Sequence, residues 1–429
     1  MRNAYPIARG TESTPAVAVT KSWRLESNRV EHDPMEDSFA LVLTGGGARA
    51  AYQVGVLRGL ARHLPEARFD IITGVSAGAI NAAFLASQSR QFSDVVEQLS
   101  GIWSSLRLED VIRIDPPSLA RHVVRWGTKL VSGGAPVAPR VRGLVDTKPF
   151  RSLLSRVFAT TDAGVIAGIA ENVARCQPKA IAVITLDYTT GRTVTWVTGC
   201  EIEMWERPLR RSASAPLTIE HIMASAALPI VFPAVRLGSH WHGDGGIRLA
   251  APLSPAVHLG ATRMLAISTH HLKPFSEASE PQIAGYPPPA QILGQLMDAI
   301  FLDAMDEDAV RLQRSNQFLR QLPPEQRQGY RLIDLAVVRP SQDLGALAAE
   351  YEPRLPRAFR FLTRSLGTRE TSNADFVSLF MFVPEYLQRL IEVGEADAEA
   401  NIGDIIRVAA PYGQALPNVT ESRAVTPIR

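Results

Sequence analysis

Cysteine is almost missing: the chain has 429 residues and two cysteines, Cys176 and Cys200. Two cysteines build neither a disulfide framework for a chain of this length nor a zinc-type spacing, so a reducing compartment is the simpler expectation. An excess of one charge is missing too. The net charge of +2 excludes an argument for nucleic acid, or for electrostatic docking onto an anionic membrane. No run reaches the ~18 apolar residues of a membrane span. The most apolar short run, Ala226 to Val235, is interrupted by Pro229 and Pro233. Residues Met1 to Asp37 contain no apolar signal-peptide core and read as a mobile tail. Internal repeats, long low-complexity segments, His/Asp clusters and Asp-rich calcium loops are all wanting. Neither a metal nor a cofactor is therefore expected.

What remains is ordinary globular material, 46% hydrophobic and 21% charged, enough for one large or two smaller domains. Ser38 to Thr44 reads as a buried strand, because Phe39 to Leu43 is continuously apolar. A helix follows from Ala48 to about His63, with Tyr52, Val56 and Leu60 four apart, and Leu64-Pro65 ends it. Phe69 to Thr73 is a second strand, and Ala77 to about Ser87 a helix of small residues. That succession predicts an α/β fold with a central, mostly parallel sheet flanked by helices. Further strands are expected at Ala180 to Asp187, Thr193 to Val197, Met264 to Thr269 and Tyr330 to Val338. Pro149 to Ala174 reads as helical, and Val131 to Arg142 and Pro274 to Pro289 as loops. A long amphipathic helix is expected from about Ala290 to Leu319. Its stripe of Leu293, Leu296, Met297, Ile300, Phe301 and Ala304 is read as facing the core rather than a membrane. Pro356 to Gly403 looks mostly helical, and a tail follows from about Pro411.

Three short motifs carry chemistry. The first is Gly45-Gly46-Gly47-Ala48-Arg49-Ala50, between a strand and a helix. Glycines let a backbone approach closely, and free N–H groups at a helix start attract negative charge. The stretch fits a dinucleotide fingerprint, with Asp70 placed for a ribose contact. It fits an oxyanion hole equally well, or a tight turn with no ligand.

The second is Gly74-Val75-Ser76-Ala77-Gly78, a G-x-S-x-G motif between a strand and a helix. A sharp turn there projects Ser76 above the sheet as a nucleophile, and its flanking glycines avoid clashes. Ser76 could instead cap the helix. A serine nucleophile needs a base. His221, His240, His242, His258, His270 and His271 lie downstream, none in a diagnostic setting. The third motif, Asp244-Gly245-Gly246, is on its own a common turn.

Together and in this order, the three motifs resemble those of the patatin-like phospholipase family. The resemblance runs from about Phe39 to Ile247, and more weakly through Phe301-Leu302-Asp303-Ala304-Met305. It implies a patatin-like three-layer sandwich and hydrolysis of lipid acyl esters by a Ser–Asp dyad without histidine. Ser76 would be the nucleophile, Asp244 the general base, and the amides of Gly45, Gly46, Gly47, Ala48 and Arg49 the oxyanion hole. The side chain of Arg49 is expected to be solvated. Ala50 departs from the glycine common in the family, which bears on loop-to-helix packing rather than on chemistry. The implied partners are an acyl-ester lipid and a membrane or micelle surface, not nucleic acid. The implied location is cytoplasmic or peripherally membrane-associated. The expected organisation is a tail over 1–37, a catalytic domain over 38–340, a helical extension over 341–410 and a tail over 411–429. Two rivals stand beside this reading: a nucleotide-binding oxidoreductase using the Gly45–Ala50 loop, and a non-catalytic protein on a retained hydrolase fold.

Overall fold

The computed structural model describes residues 37–113, 143–272, 286–301, 304–365 and 375–411. The two expected tails but for residues 37 and 411, the Val131–Arg142 loop and most of Pro274–Pro289 lie outside the described residues. Ten strands form one sheet: β1 (Phe39–Leu43), β2 (Ile71–Val75), β3 (Ala180–Asp187), β4 (Arg192–Gly199), β5 (Glu206–Arg207), β6 (Arg210–Ser214), β7 (Val235–Leu237), β8 (His240–Asp244), β9 (Arg263–Ile267) and β10 (Asp334–Val338). The order is β10-β9-β1-β2-β3-β4-β6-β5, with β8 joining β3 and β7 joining β8. From β10 to β3 every neighbour is parallel. β4 and β8 then pair with β3 antiparallel.

Strand alternation divides the core into two layers. Phe39, Leu41 and Leu43 join one core with the helices α1 (Ala51–His63), α2 (Ala77–Ala86) and α3 (Phe92–Ser105). Ala40 and Val42 face the other way, onto Met264, Leu253, Ala256, Met305 and Ala309. Helices on both faces make the three layers. The helices beyond residue 340 belong to the first of these cores. Helix Pro384–Ala400 lies along α1, and its Tyr386, Leu387, Leu390 and Ile391 are fully buried. The two backbones touch: a Cβ on Gly55 would stand 2.0 Å from the carbonyl oxygen of Ile391. Buried Tyr52 donates to Asp397 Oδ2 at 3.0 Å.

Several expectations shift in detail. The second strand begins at Ile71 rather than Phe69; Asp70 before it spends its amide and its carboxylate on Phe39, the first residue of β1. The helical stretch over Pro149–Ala174 is two helices, Lys148–Val157 and Ala167–Ala174. The long helix is likewise two, Pro289–Phe301 and Ala304–Arg320. Within its stripe Met297 packs on the core, but Leu296 is half exposed, so the core-facing expectation holds only in part. Cys176 and Cys200 form a disulfide, with Cα atoms 5.8 Å apart, tying the entry of β3 to the exit of β4. The expectation of a reducing compartment did not anticipate that bond.

Candidate active site

Two segments far apart in the chain meet because they share one strand. β2 runs beside β3 until Val75 lies opposite Ile184. On the same edge, one position further along, β8 arrives from the opposite direction and puts Asp244 opposite Thr185. Ser76 follows Val75 directly, so the two chain ends approach head to head.

Ser76 sits in the turn from β2 into α2 with φ 55° and ψ −130°, a sparsely populated conformation for a residue with a side chain. Such a backbone costs about 1–3 kcal/mol and persists only where its surroundings hold it. The holding groups are visible. Ser76 N–H donates to Ser225 Oγ at 3.0 Å, and Ser225 donates onward to the Ile184 carbonyl at 2.7 Å. No side-chain cap bond forms from Ser76 to α2, so the capping reading fails. The flanking glycines are required by backbone contact. A Cβ on Gly78 would lie 2.4 Å from the Thr44 oxygen, and one on Gly74 would lie 2.5 Å from the Gly78 oxygen. Val75 and Ala77 are buried on either side of the serine.

Asp244 is completely buried. Its amide donates to the Ala227 carbonyl at 3.0 Å, and its Oδ1 accepts the Gly246 amide at 2.9 Å. Gly245 lies against Ile184, where a Cβ would come within 2.5 Å of that residue's oxygen. The second oxygen, Oδ2, is buried with no well-formed hydrogen bond. Burial pushes the carboxyl pKa up to about 7, while the facing Ser76 hydroxyl and the Gly246 amide pull it down. Ser76 thus acts on the Asp244 carboxyl although no hydrogen bond of ordinary geometry reaches its Oδ2.

The glycine loop lies against the serine. A Cβ on Gly45 would stand 3.6 Å from Ser76 Oγ. Thr269 Oγ1 donates to the Gly45 carbonyl at 2.6 Å. Gly46 and Gly47 have φ of 145° and 56°, which glycine adopts without strain. The sequence reading offered five amides as anion donors. Two are already committed: Ala48 N–H donates to the Leu379 carbonyl and Arg49 N–H to the Gly46 carbonyl, each at 3.0 Å. Those of Gly45, Gly46 and Gly47 remain as candidate donors. Ala50 is fully buried and its carbonyl accepts Asn81 Nδ2 at 3.2 Å. Arg49 is not solvated but buried, in an ion pair with Asp375 at 2.8 Å.

The family model for patatin-like phospholipases matches residues 41–257, half of the chain, and spans all three motifs. The chain belongs to the patatin-like phospholipase family. It is 25% identical over 232 residues to mouse calcium-independent phospholipase A2-gamma, covering 53% of this chain but 27% of that protein. It thus spans about a quarter of that curated relative's length. A crystal structure of human GIVD cytosolic phospholipase A2 with methyl γ-linolenyl fluorophosphonate covers 87% of this chain and 58% of its own, at 13% identity and a TM-score of 0.38. VipD from Legionella pneumophila covers 71% of this chain and 61% of its own, at 13% identity and a TM-score of 0.29.

The six histidines offered as candidate bases in this patatin-like chain each have a partner among the described residues. His221 Nδ1 bonds to Thr218, and burial pushes that imidazole's pKa down to about 4. His240 pairs with Asp187, His242 with Thr185, His270 with Asp306 and His271 with the Pro340 carbonyl. His258 stacks on Trp205. Asp70, the candidate ribose contact, accepts the Phe39 amide at the start of β1, the far end of that strand from the glycine loop.

The patatin-like site opens onto an apolar cavity. Ile80, Phe84, Ile102, Leu154, Phe232 and Phe380 line it, and Ser76 brings a hydroxyl to its floor. Residues that no motif announced complete the setting. Trp103 Nε1 donates to Asn81 Oδ1, Asn81 Nδ2 to Gln53 Oε1, and Gln53 Nε2 to the Thr44 carbonyl, at 2.7, 3.0 and 2.8 Å. This buried chain ties α3, α2 and α1 to the strand beneath the loop. Among the described residues no group of three His, Cys, Asp or Glu side chains is arranged to hold a metal.

Proposed function

We propose that this chain is a lipid acyl hydrolase that cleaves carboxylic esters through an acyl-enzyme on Ser76, with Asp244 as the general base. The observation that carries the reading is the head-to-head arrival of Ser76 and Asp244 along one edge of β3, with Ser76 lining an apolar cavity. Family membership supports lipid as the substrate class. In the proposed cycle Ser76 Oγ attacks the ester carbon and its proton passes to Asp244. The carbonyl oxygen, now negative, faces the amides of Gly45, Gly46 and Gly47; one donor of this kind is typically worth ~3 kcal/mol. The departing alcohol takes the proton from Asp244. Water, deprotonated by the same carboxylate, then releases the fatty acid.

The acyl chain is assigned to the apolar cavity. The lipid surface is assigned to the rim beside it, where Ile230 and Leu144 are 68% and 36% exposed next to cavity-lining Leu228 and Phe232. Ile230 holds φ 69°, a strained conformation for a β-branched residue, and presents its side chain outward. No described helix is long and apolar enough to cross a membrane.

The test is covalent labelling by a fluorophosphonate probe, with product profiling from mixed lipids. Ser76→Ala is expected to lose both label and turnover while remaining folded, and Asp244→Asn to lose nearly as much turnover. Retained turnover in Ser76→Ala removes the serine from the mechanism. A larger loss in His242→Ala than in Asp244→Asn favours a histidine base.

A further inference from the structure

The glycine loop is held by a part of the chain outside the residues that match the family. Arg49 is the second residue after the three glycines and turns its side chain away from the cavity, into the protein. There Nε donates to Ser378 Oγ at 2.6 Å, and Nη2 donates to Asp375 Oδ1 at 2.8 Å and to the Asp375 carbonyl at 3.2 Å. Nη1 stands 3.7 Å from Asp298 Oδ1. One residue earlier, Ala48 gives its amide to the Leu379 carbonyl. Gly47 lies so close that a Cβ would meet that same oxygen at 2.3 Å. Two successive residues of the loop are thus gripped by Asp375–Leu379.

A buried ion pair is weak evidence of stability, since an apolar pair of similar volume often serves as well. What a guanidinium gripped on two edges supplies is orientation, because its donors form a rigid planar fork. Donors aimed at a developing negative charge need that rigidity. We propose that Asp375 is a positioning residue for the reaction: through Arg49 it fixes the Gly47–Ala50 turn and so aims the amides of Gly45, Gly46 and Gly47. This inference rests on the acyl-hydrolase reading and assigns part of the site's geometry to the C-terminal extension.

The experiment compares the full chain with Asp375→Asn and with the double variant Arg49→Met/Asp375→Leu, which removes both charges of the pair. A chromogenic medium-chain ester gives kcat and KM. Fluorophosphonate labelling gives an independent rate at Ser76. Hydrogen exchange reports on the peptide containing Gly45–Ala50. The expected result is a fall in kcat and labelling rate of tenfold or more in both variants, with KM within twofold and faster exchange in that peptide. The double variant is expected to melt close to the parent. Wild-type kcat in a folded double variant overturns the proposal. So does a rise in KM alone, which would make the segment a substrate wall, and so does loss of the fold in both variants, which would make the grip purely structural. If the parent chain itself takes no label, the acyl-hydrolase reading is what has failed.

Discussion

A carboxyl group that must give up its proton inside a protein serves two conflicting ends. As the proposed base, Asp244 is of use only when ionised, yet burial favours its neutral form and pushes the pKa up to about 7. Two outcomes follow at the scale of this residue. First, kcat/KM for a neutral ester should climb with pH along a limb of apparent pKa near 7, far above an ordinary aspartate. A limb near 4 would mean that Asp244 is ionised much more readily than its surroundings imply. Second, the native pKa lies above the unfolded one of about 3.9. Its contribution to stability is therefore complete below about pH 4 and is lost as pH rises through about 7, to the order of 4 kcal/mol. Asp244→Asn should thus melt several degrees above the parent at pH 8 and nearly with it at about pH 4. Equal melting at both values would place little burden on the charged form. Asp298 has its pKa pushed to about 7 by burial, against the pull of Arg49 and with the push of Asp375, and deepens the same pH trend.

Among elements, the turn from β2 into α2 is the most constrained. Gly78→Ala would force a methyl group into the backbone oxygens of Leu43 and Thr44, neither of which can swing aside. We expect at least a tenfold loss of turnover with a lower melting temperature; normal turnover would show that the elbow relaxes freely. The helix Lys148–Val157 supplies one wall of the cavity, including partly buried Leu153. Each methylene buried there should add ~0.8 kcal/mol, about fourfold in kcat/KM along a series of esters. Leu153→Trp should move the preferred chain length shorter, and an unchanged optimum would assign the chain to another surface. The elements that frame the site were legible in the sequence because their signals are local. A glycine run after an apolar strand, G-x-S-x-G before small residues and Asp-Gly-Gly after a short strand each stand within a few residues. Ser225, Thr269, Asn81 and Gln53 were not legible. Each acts through hydrogen bonds to a backbone or side chain elsewhere, and neither a period nor a spacing marks such a residue.

For the whole molecule, the continuous apolar run of β1 and the order of early elements were enough to read a layered α/β fold. The break of the long helix, the disulfide and the burial of Arg49 were not, since each depends on a partner distant in the chain. The same holds for the extension. Its helical character could be read, but not that its backbone touches α1 at Gly55 or that Asp375 reaches the glycine loop. A chain cut after residue 340 would leave the buried face of α1 bare and Arg49 without its carboxylate. We expect it to be recovered as aggregate or to bind a hydrophobic dye strongly, whereas a monomeric, cooperatively melting product would show that the first part folds alone.

The junction of Ile184 and Thr185 has a consequence for how this architecture tolerates change. Serine and aspartate are each measured from that single peptide link, so neither distance depends on the length of chain joining them. Segments between the two can be enlarged, trimmed or replaced at the rim of the sheet, and the two side chains will still arrive at the same address.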